Sequence, residues 1–448
     1  MNRRQALTAL SVLPTSLLGF YARLAHANDE LAQNTGRETK YKALVCIFLH
    51  GGNDSFNMLM PAEQSEYRDY QVSRSHLAIP FSGGVGLPSK GSDRAFAVHP
   101  SCSELAELYG RDRLAFIANV GNLVEPTTIE SFLNGRVDVP PSLFSHNDQR
   151  GLWQTGVANF KGGKGWLGRA ADQLRHTNSK TFSMNISLAG NNIMQTGEWT
   201  MPYSISPDGP PSTLQSPLDA ILKNTAAPER NELLKHAYQE TLGNAYQRNQ
   251  LFSLGFNSHK INDQFPSSSL GQSLKAVATT IAARRDFGQS RQTFFVVHRG
   301  WDTHSDQIDK HSALLRDLSQ SLSAFDKTME NSDTGSQVTT FTVSDFGRTL
   351  STNGRGTDHG WGGNCIVAGG AVNGGSIYGN YPETLALGRG MDIGRNGRLL
   401  PGMSTEQYFA PLLHWFGLTE DQIADVLPNL YRFASSSDYS ATESFMKA

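Results

Sequence analysis

Ala43-Leu44-Val45-Cys46-Ile47-Phe48-Leu49-His50-Gly51-Gly52-Asn53-Asp54 is the stretch on which the fold turns. Residues 43–49 are apolar without a break, and the run is too short for an ordinary buried helix. Such a run reads as a strand buried on both faces, the position of a strand in a parallel sheet covered by helices on each side. It stops at two glycines followed by polar side chains, which marks a sharp turn at the carboxyl end of the strand.

Working outward, the same pattern recurs. Apolar runs at 114–120, 292–298, 338–343 and 365–368 are followed by Gly121-Asn122, by Arg299-Gly300-Trp301-Asp302, by Ser344-Asp345 and by Gly369-Gly370. Between them, helical spacing of apolar residues covers 270–287 and 312–329, and further helices are expected at 230–253, 407–416 and 420–427. Strands alternating with helices predict an α/β fold, a three-layer sandwich around a mainly parallel sheet, with loop and helix insertions. In open α/β sheets ligands bind beyond the carboxyl ends of the strands. Asp54, Asp302 and Asp345, far apart in sequence, are therefore expected to converge there.

The 448 residues carry a net charge of -2. That balance points away from nucleic acid or an anionic membrane surface as the main partner. The chain opens Met1-Asn2-Arg3-Arg4-Gln5, continues with an apolar stretch at 6–20 and reaches Ala25-His26-Ala27. This layout reads as a twin-arginine signal peptide over residues 1–27, delivering the protein folded to the periplasm or beyond. An ordinary secretory signal or an uncleaved anchor is the alternative. No other run approaches a stable membrane span. Three cysteines, Cys46, Cys102 and Cys365, are too few and too odd for a disulfide framework, and two of them lie inside strand-like runs.

Three segments carry chemistry. Gly300-Trp301-Asp302-Thr303-His304 sets a carboxylate and an imidazole two apart, a donor pair suited to zinc, manganese or iron or, more plainly, a turn. Ser344-Asp345-Phe346-Gly347-Arg348 leads on to Asp358-His359, adding two carboxylates, an imidazole and a guanidinium. Arg348 either holds an oxyanion or closes a salt bridge. Ser145-His146-Asn147-Asp148 opens a helix. Ser145 has capping-box spacing to Asp148, and a helix N-terminus also suits an activated hydroxyl.

Taken in order, 48–57, 145–149, 300–304, 344–349 and 358–359 resemble a bacterial family of twin-arginine-exported proteins of unknown function, grouped with the alkaline phosphatase and sulfatase superfamily. The resemblance spans 42–432 as one alkaline-phosphatase-like domain. It implies a divalent metal (Zn, Mn, Ca or Mg) held by Asp54, Asp302, His304, Asp345 and His359, with Ser145 as nucleophile and Arg348 on the substrate. It also implies a histidine after Asp345, where this sequence has Phe346. The function implied is hydrolysis of a phosphate or sulfate ester, small or on a polysaccharide, after export by the twin-arginine translocase. The alternative is an exported protein that keeps the fold and binds an envelope polysaccharide or anionic polymer without catalysis.

Overall fold

The computed structural model describes residues 40–88, 94–159, 162–179, 181–211, 232–332, 334–433 and 444–447. The expected signal segment, 1–27, lies outside them. In chain order the strands are β1 (Lys42–His50), β2 (Leu59–Pro61), β3 (Val85–Gly86), β4 (Phe96–Val98), β5 (Leu114–Gly121), β6 (Asn185–Ser187), β7 (Tyr203–Ser204), β8 (Arg291–Arg299), β9 (Val338–Ser344), β10 (Arg348–Thr352), β11 (Thr357–His359), β12 (Gly363–Ala368), β13 (Ile377–Gly379) and β14 (Met403–Ser404). The five strands expected from the apolar runs are β1, β5, β8, β9 and β12. The expected helices appear as Glu232–Ser258, Ser269–Ala282, Gln307–Asn331, Thr405–Phe416 and Glu420–Val426.

The main sheet runs β13-β5-β12-β9-β1-β8-β6-β7, with β14 also beside β5. Only β12 is antiparallel to its neighbours, β5 and β9, so the sheet is mainly parallel. β1 is central, and its side chains alternate between two cores. Ala43, Val45, Ile47 and Leu49 face one, packed with Leu274, Val277 and Ile281 of helix Ser269–Ala282 and with Leu315, Leu318 and Leu322 of helix Gln307–Asn331. Leu44, Cys46 and Phe48 face the other, packed with Phe409, Leu412 and Leu413 of helix Thr405–Phe416 and with Trp153 and Trp166. Helices on both faces explain why the run has no polar alternation. Each fully buried Leu, Ile or Phe contributes about 1.5–3 kcal/mol, an upper bound set by an extended reference chain. All three cysteines are buried and free.

The parallel register sets where the site can be. Leu49 lies opposite Ser344 and His50 opposite Arg299, so β1, β8 and β9 end level with one another. The turn after β1 is glycine for a steric reason. Gly51 has φ +126°, and a Cβ there would sit 2.4 Å from the Asp302 amide nitrogen; at Gly52 (φ +91°) it would sit 2.7 Å from the Phe346 ring. The Ser344 hydroxyl donates to the Leu49 carbonyl (2.7 Å) and accepts from the Asn53 amide (2.9 Å), which ties the end of β9 to that turn. Among the described residues no helix is long and apolar enough to cross a membrane.

Candidate metal centre

Four elements bring their side chains to this edge. Asp302 and His304 follow β8. Asp345 directly follows β9. The hairpin β10–β11 places Arg348 opposite His359, so the glycine-rich excursion between them returns His359 to the sheet edge. His146 is the first residue of helix His146–Thr155.

His146, Asp302 and His359 offer ligand atoms that all lie within 4.8 Å of one another. The separations are close. His146 Nε2 is 3.4 Å from Asp302 Oδ2, and His359 Nε2 is 3.4 Å from Asp302 Oδ1. His304 joins them: its Nε2 is 3.1 Å from Asp302 Oδ1 and 2.9 Å from His359 Nε2. Tetrahedral nitrogen and oxygen ligands around zinc stand about 3.3 Å apart, so His146, Asp302 and His359 are spaced for one small cation, with His304 against two of the three.

The outer ring nitrogens show how the donors are held. His146 Nδ1 lies 2.6 Å from Asp345 Oδ2, His359 Nδ1 lies 2.7 Å from the Phe144 carbonyl, and His304 Nδ1 lies 3.3 Å from Asp358 Oδ1. His146 and His359 each give Nδ1–H to an acceptor, which leaves a lone pair on each Nε2, turned inward toward Asp302. His304 Nε2 stands 2.9 Å from the lone pair of His359 Nε2, a separation bridged by a proton on His304 or by a cation held between the two. Histidine ligands of metals are oriented by outer acceptors in the same way. The donor chemistry therefore fits a cation.

Each partner has a definite position. Asp345 is fully buried; its Oδ1 has no hydrogen-bond partner among the described residues. Phe346 packs on the rings of His146 (4.7 Å between centroids) and His359 (4.5 Å), so the position without an imidazole walls two imidazoles in. The Arg348 guanidinium is buried and donates to Asp302 Oδ1 (2.6 Å), the Gly51 carbonyl (3.3 Å), Thr357 Oγ1 (3.2 Å) and the Thr357 carbonyl. Its donors are engaged inside the protein, and it positions Asp302.

Burial pushes the Asp302 carboxyl up, but the hydrogen bond and charge of Arg348, with His304 and His146, leave it below its usual range. The hydrogen bond to Asp345 raises His146 against burial. Burial lowers His359, and the nearby charges of His146 and Arg348 act in the same direction.

The structure brings Asp302, His304 and His359 together directly and Asp345 through His146. It does not bring Asp54 into that cluster. Asp54 is buried behind it, its Oδ2 accepting from Arg74 Nη2 and Gln307 Nε2. Thr357 Oγ1 donates to Gln307 Oε1 (2.7 Å), and the same hydroxyl accepts from Arg348, so Asp54 supports the centre from behind through a polar chain. Ser145 precedes the helix as expected, but its side chain makes no capping hydrogen bond. His146 is the donor that spacing did not single out. Its only sequence signal is its place beside Ser145 at the start of a helix.

Residues 41–389 match the family described as Protein of unknown function (DUF1501). The match covers more than half of the chain, and the chain belongs to that family. No curated protein matches it. Among solved structures it is similar to the PsFucS1 sulfatase from Pseudoalteromonas sp., with 11% identity over 96% of this chain and 77% of that one and a TM-score of 0.34. It is also similar to a TAB5 alkaline phosphatase mutant with Mg bound in its M3 site, with 10% identity, coverage of 87% and 99% and a TM-score of 0.31. A third is the C-terminal periplasmic domain of EcEptC from Escherichia coli in complex with Zn, with 10% identity, 74% of each chain covered and a TM-score of 0.28. Likeness this slight assigns neither activity nor substrate.

Proposed function

We propose that this member of the DUF1501 family is an exported, metal-dependent hydrolase of phosphate or sulfate esters, with its metal held by His146, His304, His359 and Asp302. The observation that carries the reading is the triple arrangement of imidazoles. His146 and His359 give Nδ1 to separate acceptors, His304 Nδ1 lies 3.3 Å from Asp358 Oδ1, and all three turn Nε2 toward the same carboxylate. Three nitrogens and one carboxylate suit zinc or manganese better than calcium or magnesium, which prefer all-oxygen sets. A divalent cation there supplies Lewis acidity toward the ester oxygens.

The chain's own residues do the rest. Arg348 fixes one oxygen of Asp302 and keeps that carboxylate ionised. Asp345 and Phe346 set the ring plane of His146. Ser145, one residue before a metal-facing histidine and with a hydroxyl not spent on capping, is the proposed nucleophile. The reading includes export, which rests on Arg3, Arg4 and the apolar stretch that follows.

The test is metal analysis of purified protein by plasma mass spectrometry, alongside hydrolysis of aryl phosphate and aryl sulfate esters. The expected result is about one zinc or manganese per chain, with turnover lost in Asp302→Ala and Ser145→Ala. A protein that binds no divalent metal at micromolar concentration refutes the reading. Metal binding without turnover, removed by Asp302→Ala, leaves an exported binding protein instead.

A further inference from the structure

Beside the centre lies a small cavity of about 260 Å³ at the same sheet edge, on the opposite core face from Ile47 and Leu49. It is lined by His50, Arg150, Gln154, Asn191, Asn192 and Arg299, among others. The fold places these groups for simple reasons. His50 and Arg299 are register partners at the ends of adjacent parallel strands, so their side chains leave the sheet on one face. Arg150 follows His146 by one turn of the same helix, about 5–6 Å along it. The cavity therefore adjoins the donor cluster.

Its charge is unbalanced. Arg150 Nη1 donates to His50 Nε2 (2.5 Å) and Nη2 to Asn147 Oδ1 (2.7 Å). Arg299 is exposed at the strand end. Among the described residues neither guanidinium is paired with a carboxylate, whereas Arg348, Arg74 and Arg94 each are. Two guanidinium groups line one small cavity, with the amides of Gln154, Asn191 and Asn192 and the apolar Phe48, Phe295 and Val297 completing the wall, and make a site for a compact anion. Guanidinium geometry matches the edge of a tetrahedral oxyanion.

We infer that the cavity between Arg150 and Arg299 is a subsite for a tetrahedral oxyanion, a phosphate or sulfate group of the substrate, seated next to the metal centre. The identity of the ligand rests on the hydrolase reading; the existence of the subsite does not. It assigns to Arg150 and Arg299 the substrate contact that Arg348, spent on Asp302, does not make. A phosphate monoester balances both positive charges, whereas a sulfate monoester, like a monocarboxylate, carries one; charge therefore favours a phosphate group, and tetrahedral shape separates sulfate from carboxylate.

The experiment measures binding of inorganic phosphate, inorganic sulfate and acetate by calorimetry to chelator-treated wild-type protein and to Arg299→Gln and Arg150→Gln. Phosphate or sulfate is expected to bind at least tenfold more tightly than acetate and to weaken at least tenfold in each variant. The thermal midpoint and the zinc affinity of Arg299→Gln should stay unchanged, since that side chain is exposed. Affinity that Arg299→Gln leaves intact, or equal binding of acetate, overturns the inference. If zinc fails to bind while phosphate binding depends on Arg150 and Arg299, the subsite stands and the metal reading falls.

Discussion

Asp345 touches no open space, yet it should control the metal affinity of the centre, and Asp345→Asn measures how much. In the wild type its Oδ2 lies 2.6 Å from His146 Nδ1 while Oδ1 has no hydrogen-bond partner among the described residues. An asparagine keeps its carbonyl oxygen on His146 only by placing its amide nitrogen where Oδ1 was, and that nitrogen then finds no acceptor. Flipped, the amide turns a donor toward the Nδ1–H and breaks the pair. Charge-assisted hydrogen bonds contribute about 1.5–3 kcal/mol against about 0.5–1.5 for neutral ones. The loss of charge alone is therefore worth about 1–1.5 kcal/mol, near tenfold in affinity, and the orphaned amide adds to it. Outer partners of metal-bound histidines carry about 10–100-fold in affinity, so Asp345→Asn should weaken zinc binding by that factor, with Asp345→Ala at the upper end. The assay is competition for zinc against a chromogenic chelator, with circular dichroism to show that the fold is retained. Folded Asp345→Asn protein that binds zinc as tightly as wild type would refute the role given to His146.

Other consequences can be checked separately. Glu406 lies in the first turn of helix Thr405–Phe416, fully buried, with Asn429 beside its carboxyl group. Burial raises it from 4.5 to about 8. The folded chain thus keeps a proton that the unfolded chain releases, so its contribution is full below pH 4.5, declines as pH rises and is gone above about 8. Wild-type stability in urea titrations should fall by about 3–5 kcal/mol from pH 5 to 9, and Glu406→Gln should flatten that decline; parallel curves for the two proteins would show Glu406 has no part in it. Gly51→Ala forces a Cβ against the Asp302 backbone at positive φ; it should destabilise by about 2–4 kcal/mol and weaken zinc binding, read by calorimetry. Arg3→Lys with Arg4→Lys should leave the precursor in the cytoplasm on fractionation, whereas normal export of that double variant would exclude the twin-arginine route.

What was legible in the sequence follows the physics of each signal. β1, β5, β8, β9 and β12 could be read because strands buried on both faces must be continuously apolar, and that pattern is local. Asp302 and Asp345 could be read because sheet topology requires the chain to turn polar at the carboxyl edge. Asp54 met the same criterion and still faces elsewhere. Gly51 and Gly52 turn the chain sharply after β1, and Arg74, from a helix begun ten residues after Asp54, supplies a buried countercharge that no local pattern announces. His146 stayed hidden for the converse reason. Its role depends on the Asp345 carboxylate, 199 residues away, and on Phe346 packing against its ring, while its own neighbourhood reads as a helix start. The two cases share one cause. A strand end indicates where a side chain emerges, but the partner that claims it is chosen by tertiary packing. Asp54 met a guanidinium and became part of the support; Asp345 met an imidazole and became the acceptor that aims it. The acidic residue at a strand end is thus the readable half of each pair, and the sequence motif marks the centre without naming all its ligands.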